Sequence, residues 1–186
     1  MYWRLRGRDF QLTSAKANRR SLRASAEGER PPGLVALDSE GRAVGWVAVA
    51  PRKDYERTEL SRLIPRIDDR PAWSVVCFVV SRRARGQGIA KALLDAAVGY
   101  AAAAGAPALE AYPVAPVHAR IRSNAAYTGT LSMFAAAGFE KVADTQSVTG
   151  GAPRVVVRRD LAPPTGNAGT GVGSDPLGNG SGECLP

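Results

Sequence analysis

Two glycines and a group of arginines follow an apolar run and could bind a phosphate group. The turn is Arg83-Ala84-Arg85-Gly86-Gln87-Gly88, with Arg82 beside it. Glycine leaves the backbone unshielded, so successive N–H groups can converge on an anion. Ile89-Ala90 follows Gly88, which excludes the Gly-Lys-Ser/Thr of a P-loop. Lys91 stands where the dinucleotide-binding fingerprint needs its third glycine.

The flanking elements would place this turn at the beginning of a helix. Residues 73–80 (WSVVCFVV) are apolar almost throughout, which is typical of a strand covered on both faces. From Ile89 onward, apolar residues recur at helical spacing. The unpaired N–H groups and the dipole at a helix N-terminus favour a phosphate. An ordinary strand-to-helix turn with solvated arginines stays open as the alternative.

The pattern Arg83-x-x-Gly86-x-Gly88 resembles the acetyl-CoA pyrophosphate loop of the GNAT superfamily of N-acetyltransferases. Residues 127–140 (YTGTLSMFAAAGFE) are similar to the late helix of that superfamily, which ends in Gly-Phe before a strand, and Gly138-Phe139 fits. The two segments and the strand between them span residues 73–142. The resemblance implies an α/β GNAT fold with a mixed, mostly antiparallel sheet, a central splayed parallel strand pair and flanking helices.

The resemblance also implies acetyl-CoA as the cosubstrate, with no metal. Backbone groups of the apolar strand would bind the pantetheine, and the turn would surround the pyrophosphate. The residues expected to contact the coenzyme are Phe78, Val79, Val80, Arg83, Arg85, Gly86, Gln87, Gly88, Ala90, Tyr127, Met133 and Phe134. The acetyl group would pass directly to a primary amine, without a covalent enzyme intermediate.

Proton transfer in this reaction needs a base for the amine and a donor for the departing thiolate. Glu110 is the predicted base, because it is the acidic residue inside the second parallel strand, where partial burial would raise its pKa. The tyrosine that many GNAT enzymes have four residues before Gly-Phe is replaced by Phe134, which has no proton to give. Tyr127 is the predicted substitute. A solvated or paired glutamate and a packing tyrosine are the structural alternatives.

The acceptor side is predicted from residues near the presumed mouth of the sheet. Asp69, Trp73, Tyr112 and His118 are the candidate substrate-binding residues, and Asp69 is also the second choice for the base. Carboxylates before the central strand would suit a polycationic small molecule, such as an aminoglycoside-type antibiotic like kasugamycin. Polyamines and protein N-termini are alternative acceptors. A non-catalytic acyl-CoA-binding regulatory module is the alternative of another class.

Composition sets further bounds on partners and location. The chain has 186 residues, 45% of them hydrophobic, and a net charge of +8. That charge would attract polyanions, but basic clusters flanked by aromatic residues are missing, so we expect no nucleic-acid partner. Two cysteines allow no disulfide framework, and Cys77 is expected to be a small buried side chain. Without an apolar run of membrane-spanning length or a signal-peptide core, we expect a cytoplasmic protein, as a monomer or a homodimer.

Periodicity and turn residues divide the chain into a domain at residues 1–161 and a tail at 162–186. The tail is rich in Pro, Gly, Asn and Ser and is expected to be disordered. The predicted strands are 2–5, 34–37, 43–50, 73–80, 108–114, 139–143 and 154–158. The predicted helices are 14–27, 54–64, 89–104 and 127–137. Residues 115–126 are expected to form a loop at the active-site end.

Overall fold

The computed structural model describes residues 1–115 and 126–161. Six strands of this part form one sheet in the order β1-β2-β3-β4-β6-β5. They are β1 Gly33–Leu37, β2 Ala43–Pro51, β3 Trp73–Val80, β4 Ala108–Ala111, β5 Glu140–Thr149 and β6 Ala152–Asp160. β3 and β4 pair in parallel, whereas the other neighbouring strands pair antiparallel.

In the described part of the chain, five helices flank this sheet. They are α1 Gly7–Leu12, α2 Ala15–Ala26, α3 Glu56–Glu59, α4 Ile89–Ala103 and α5 Leu131–Ala136, with 3₁₀ turns at Arg52–Asp54, Arg82–Ala84 and Ala126–Thr128. One face of the sheet packs on α4 and α5 through a core that includes Leu94 and Phe134. The opposite face packs on the N-terminal segment and the connection before β3, through Trp3, Tyr55 and Ile64.

The parallel pair opens along its length. Trp73, Ser74 and Val75 pair with Leu109, Glu110 and Ala111, and there the pairing ends. β3 continues to Val80 against β2 on its other side. Over residues 76–80, no strand of the described part pairs with the edge of β3 that faces β4. The 3₁₀ turn Ala126–Thr128 contacts β3.

A β-bulge lies where the two strands separate. Ala48 pairs with Cys77, but the next residue of β2, Val49, pairs with Val75, so Val76 is an extra residue on β3. An extra residue bends the strand and changes the alternation of its side chains. Val76 and Cys77 consequently contact the same core, the one built on Trp3 and Tyr55.

This architecture confirms the predicted GNAT fold class and its splayed parallel pair. The predicted strand at 2–5 is wrong: Arg4 N donates to Met1 O, closing a turn that brings Trp3 into the core. The predicted helix 54–64 is shorter, because the Ser61 hydroxyl accepts hydrogen bonds from the N–H groups of Leu63 and Ile64 and the chain turns there. β5 extends well beyond the predicted 139–143.

Three predictions fall wholly or mostly on residues outside the described part: His118, the loop at 115–126, and the tail at 162–186. Among the helices described here, none is both long and apolar enough to span a membrane.

Candidate active site

The turn after β3 presents its backbone to open space. Gly86 and Gly88 have φ of 78° and 77°, in the left-handed region that favours glycine. A Cβ at either position would meet nothing within 4 Å. The backbone conformation therefore requires glycine, and the space in front of the turn is free. Gln87 Nε2 donates to Arg83 O at 3.1 Å, and this hydrogen bond connects the two ends of the turn.

α4 begins in this turn with unpaired donors. Gly88 is its N-cap and contributes no side-chain cap, and the first intrahelical bond runs from Ala92 N to Gly88 O. The N–H groups of residues 89–91 therefore have no partner inside the helix. The first turn of α4 has no acidic residue and contains Lys91, and Arg82, Arg83 and Arg85 precede it in the chain. Backbone N–H groups, the helix dipole and arginine charge could together bind an anion at this turn.

The three residues predicted to contact the pantetheine lie on β3, over the part where no strand of the described residues pairs with the edge that faces β4. Val79 is 57% exposed despite its apolar side chain, whereas Phe78 is buried against α5. Arg85 Nε donates to Val80 O at 3.4 Å and connects the turn to the end of β3. A single extended ligand could therefore contact the turn and the strand edge together.

Phe134 and Met133 lie on α5, on the α4 side of the sheet. Phe134 is fully buried, and its ring meets Phe78 and Phe139 edge-on at 6.2 and 5.1 Å between centroids. Met133 is partly buried against the same core. Gly129 has φ of 83°, and a Cβ there would come within 2.6 Å of the Phe134 ring, so the ring occupies space that only glycine leaves. Phe134 is a packing residue that reaches β3.

A cavity of about 430 Å³ opens on the other face of the bulge, and we call it the aromatic cavity. Val76 and Cys77 of the bulge line it. The remaining lining residues are Met1, Tyr2, Trp3, Arg4, Leu22, Pro32, Trp46, Ala48, Tyr55 and Tyr127. Burial raises the pKa of the Cys77 thiol. At neutral pH the thiol is therefore protonated, and it lines the cavity as a neutral group that is not a nucleophile.

Tyr127 is held at this cavity by Arg154. Arg154 is buried, and its Nη2 donates to the Tyr127 hydroxyl at 3.2 Å while its Nη1 donates to Tyr112 O at 3.3 Å. The guanidinium also lies over the rings of Trp3 and Tyr127, 5.2 and 5.4 Å from their centroids. Burial raises the pKa of Tyr127, and Arg154 opposes that rise. Because the hydroxyl accepts from Arg154, its own proton is available for donation.

Glu110 is buried in an ion-pair network, with 1% of its surface exposed. Arg52 Nη1 donates to its Oε2 at 3.1 Å, and Arg158 Nη2 donates to its Oε1 at 2.7 Å. The Tyr112 hydroxyl donates to Oε2 at 3.2 Å and lies 3.0 Å from Ser74 Oγ. Burial raises the pKa of Tyr112, so it stays a neutral donor. The expected partial burial of Glu110 is therefore replaced by nearly complete burial between two guanidinium groups.

Glu110, Asp69 and Trp73 line a second cavity, of about 270 Å³, which we call the charged cavity. It lies at the beginning of β3, beyond the paired ladder of β3 and β4, which separates it from the open edge. Asp69 is fully exposed there, 3.7 Å from Arg66. Trp73 is mostly buried and packs edge-on against Tyr100 of α4. Tyr112 connects the two regions, because its ring stacks on Trp3 and its hydroxyl reaches Glu110.

Several residues of the site were not predicted. Arg154 and Arg158 flank three valines in β6, and charges inside such a strand are a signal that they have buried partners. Arg52 carries no such signal, since it follows a strand directly. Trp3 and Tyr55 reach the aromatic cavity only through the tertiary fold. Within the described residues, no group of three or more His, Cys, Asp or Glu could hold a metal ion.

A family model described as the acetyltransferase (GNAT) family matches residues 2–125, about two thirds of the chain. No curated protein sequence matches the chain.

Solved structures share the fold. A GNAT superfamily phosphinothricin acetyltransferase from Sinorhizobium meliloti, in complex with AcCoA, superimposes with a TM-score of 0.51 at 23% identity, over 78% of this chain and 69% of that one. A ribosomal-protein-alanine N-acetyltransferase from Brucella melitensis gives 0.52 at 21% identity, over 81% and 80%. The NatC complex bound to Gag peptide and CoA gives 0.52 at 15% identity, over 81% of each chain.

Proposed function

Because the chain belongs to the GNAT family of acetyltransferases, enzymes that use acetyl-CoA, we propose that it transfers the acetyl group directly to the primary amine of a small molecule. One observation supports this proposal above all: Val76 and Cys77 lie where β3 has its open edge, and they also line the aromatic cavity. A thioester on that edge would therefore meet an amine that enters through the cavity.

The coenzyme would be bound by backbone from the turn to the bulge. Its pyrophosphate would accept hydrogen bonds from the N–H groups between Gly86 and Lys91, with Arg83 and Arg85 balancing its charge. Its pantetheine would hydrogen-bond along residues 78–80, in the position of the missing neighbouring strand. A cavity of about 380 Å³ beside the turn, lined in part by Arg42, leaves space for the nucleotide.

The amine nitrogen attacks the thioester carbonyl, and the nitrogen must then lose a proton. Glu110 is too deeply buried to contact the amine directly, but the Tyr112 hydroxyl can pass a proton to it. In this proposal water relays the proton of the amine to Tyr112, whose ring lies behind Trp3 of the aromatic cavity, and the Tyr112 hydroxyl passes its own proton to Glu110 Oε2, which it already contacts at 3.2 Å. The charged cavity then connects Glu110 to solvent.

Collapse of the intermediate breaks the C–S bond, and the sulfur leaves as a thiolate. Tyr127 lies at the bulge with its hydroxyl proton free for donation, so we assign it as the proton donor in place of Phe134. Arg154 would stabilise the phenolate until a proton returns from solvent. Phe134 would then serve only to pack α5 against β3.

The identity of the amine stays a prediction. An aminoglycoside such as kasugamycin, a polyamine and a protein N-terminus would each supply a primary amine. Asp68, one of the carboxylates that favoured a polycation, is engaged by Arg158 and Arg70, whereas Asp69 is exposed. The domain end at residue 161, the cytoplasmic location and a homodimer also stay predictions.

The test is acetyl-CoA turnover with a panel of amines, followed by mass detection of the amine that gains an acetyl group. We expect amine-dependent release of free CoA thiol. Coenzyme binding by calorimetry without thiol release for any amine would instead support the non-catalytic module that Phe134 suggests. The Phe134→Tyr variant, which restores a hydroxyl on α5, is the informative companion, since a module that lacks only the acid would gain turnover.

A further inference from the structure

We infer that the acceptor is a monoamine, an otherwise apolar molecule that has an aromatic ring and a single amino group. This inference rests on the proposed function and names the substrate class of the same site. It depends on which of the two cavities receives the acceptor. The aromatic cavity touches the bulge, whereas the paired ladder of β3 and β4 stands between the charged cavity and the open edge. The amine therefore reaches the thioester through the aromatic cavity.

The residues that line this cavity are suited to binding an aromatic ring. Tyr2, Trp3, Trp46, Tyr55 and Tyr127 contribute five aromatic side chains, and Leu22 and Ala48 add aliphatic surface. A volume of about 430 Å³ is within the usual range for a small-molecule pocket and accommodates one ring with a short side chain. Edge-to-face contacts with an acceptor ring would orient the amine toward Val76 and Cys77.

The charges around the cavity are unfavourable for a polycation. Arg4 is the charged side chain in its lining, and no carboxylate of the described residues lines it. Asp54, which lies 4.0 Å from Arg4, belongs to a neighbouring cavity. A second ammonium group in the aromatic cavity would lose its hydration without gaining a carboxylate partner.

Four of the five aromatic rings that line the cavity already lie against a guanidinium group. Arg57 lies over Tyr2, Arg4 over Tyr55 and Arg154 over both Trp3 and Tyr127, at 3.9 to 5.4 Å from the ring centroids. These rings are therefore less able to attract a further cation through their faces. The positive surroundings also favour the neutral form of a bound amine. In agreement, the pKa of the Met1 α-amino group at this cavity is lowered, first by burial and then by Arg4.

The experiment compares two amines that differ by one charge. The purified full chain is incubated with acetyl-CoA and either 4-methylbenzylamine or 4-(aminomethyl)benzylamine, which share the ring and nearly the same size. Because the second ammonium has no carboxylate partner, we expect kcat/KM for the monoamine to exceed that for the diamine by at least about tenfold. Equal rates, or faster acetylation of the diamine, would overturn the inference.

A designed variant tests whether the aromatic cavity sets this preference. Leu22 lies on α2 and is only partly buried, so Leu22→Glu adds a carboxylate at the cavity wall without disturbing a core. We expect the ratio of monoamine to diamine kcat/KM to fall at least about fivefold in Leu22→Glu. The uncharged Leu22→Gln variant should keep the wild-type ratio. A ratio that is unchanged in Leu22→Glu would also overturn the inference.

The panel separates failure of this inference from failure of the proposed function. Spermidine and kanamycin are measured beside the matched pair. If acetyl transfer occurs to either polycation but not to the monoamine, the substrate class is wrong while the proposed function stands. If no amine is acetylated although acetyl-CoA binds, both are refuted.

Discussion

Replacing Glu110 by glutamine tests the centre of the proposed mechanism. Glutamine keeps the shape of the side chain and an oxygen that can accept from Tyr112, but it removes the charge. Arg52 would retain Glu59 at 3.1 Å, and Arg158 would retain Asp68. The two buried guanidinium groups would therefore each lose one of two carboxylate partners.

The expected loss of stability follows from these contacts. Removing one partner of a buried ion pair costs roughly 3–5 kcal/mol. Because both arginines keep a second carboxylate and glutamine still accepts one hydrogen bond, we expect the lower end, about 3 kcal/mol. For a protein of this size each kcal/mol lowers Tm by about 2–4 °C, so Tm should fall by roughly 6–12 °C.

Two assays measure the effects of Glu110→Gln, one on stability and one on activity. Urea unfolding gives the free energy of unfolding, with Asp95→Asn as the control, because its exposed pair with Lys91 should be worth less than about 0.5 kcal/mol. Steady-state acetylation, measured well below the Tm of the variant, should show kcat reduced by about 10² or more, since the proton acceptor is lost. A destabilisation under about 1 kcal/mol would refute the ion-pair reasoning. A kcat close to that of wild type would refute the route through Tyr112.

Three further predictions address the coenzyme site and the network. Gly88→Ala and Gly41→Ala place a Cβ at φ of 77° and 76° in open space, so each should cost about 1–2 kcal/mol of stability. Calorimetry should show weaker CoA binding for Gly88→Ala alone, and equal affinities would argue against the turn as the phosphate site. Tyr127→Phe should lower kcat about a hundredfold and raise the pKa of the thiol of bound CoA, read from thiolate absorbance; an unchanged thiol pKa would dismiss Tyr127 as the donor. Arg158 holds the pKa of Asp68 well below its usual range, so its ionised form stabilises the fold above about pH 4 and that contribution fades at lower pH. The stability difference between wild type and Asp68→Asn, from urea unfolding, should therefore shrink below about pH 4, and a constant difference would contradict this linkage.

The sequence predicted the strand, turn and helix at residues 73–94 better than the residues that surround the two cavities. The turn, the apolar strand and the helix are contiguous in the chain, and each has a local signature: glycines that need positive φ, an unbroken apolar run and a helical period. Local backbone preferences decide such features, so residues 73–94 carry them without help from the rest of the fold. The bounds of β3 are those predicted.

Only the tertiary structure decided which residues line the aromatic cavity and which residues surround Glu110. Trp3, Tyr55 and Tyr127 are far apart in sequence, and they meet because the turn at the N-terminus, the connection before β3 and the 3₁₀ turn before α5 pack on one face of the sheet. The bulge at Val76 arises from the register between β2 and β3, which no single strand encodes. The environment of Glu110 likewise depends on arginines 58 and 48 residues away. A carboxylate's chemistry is set by the charges beside it, and those are brought there by long-range packing.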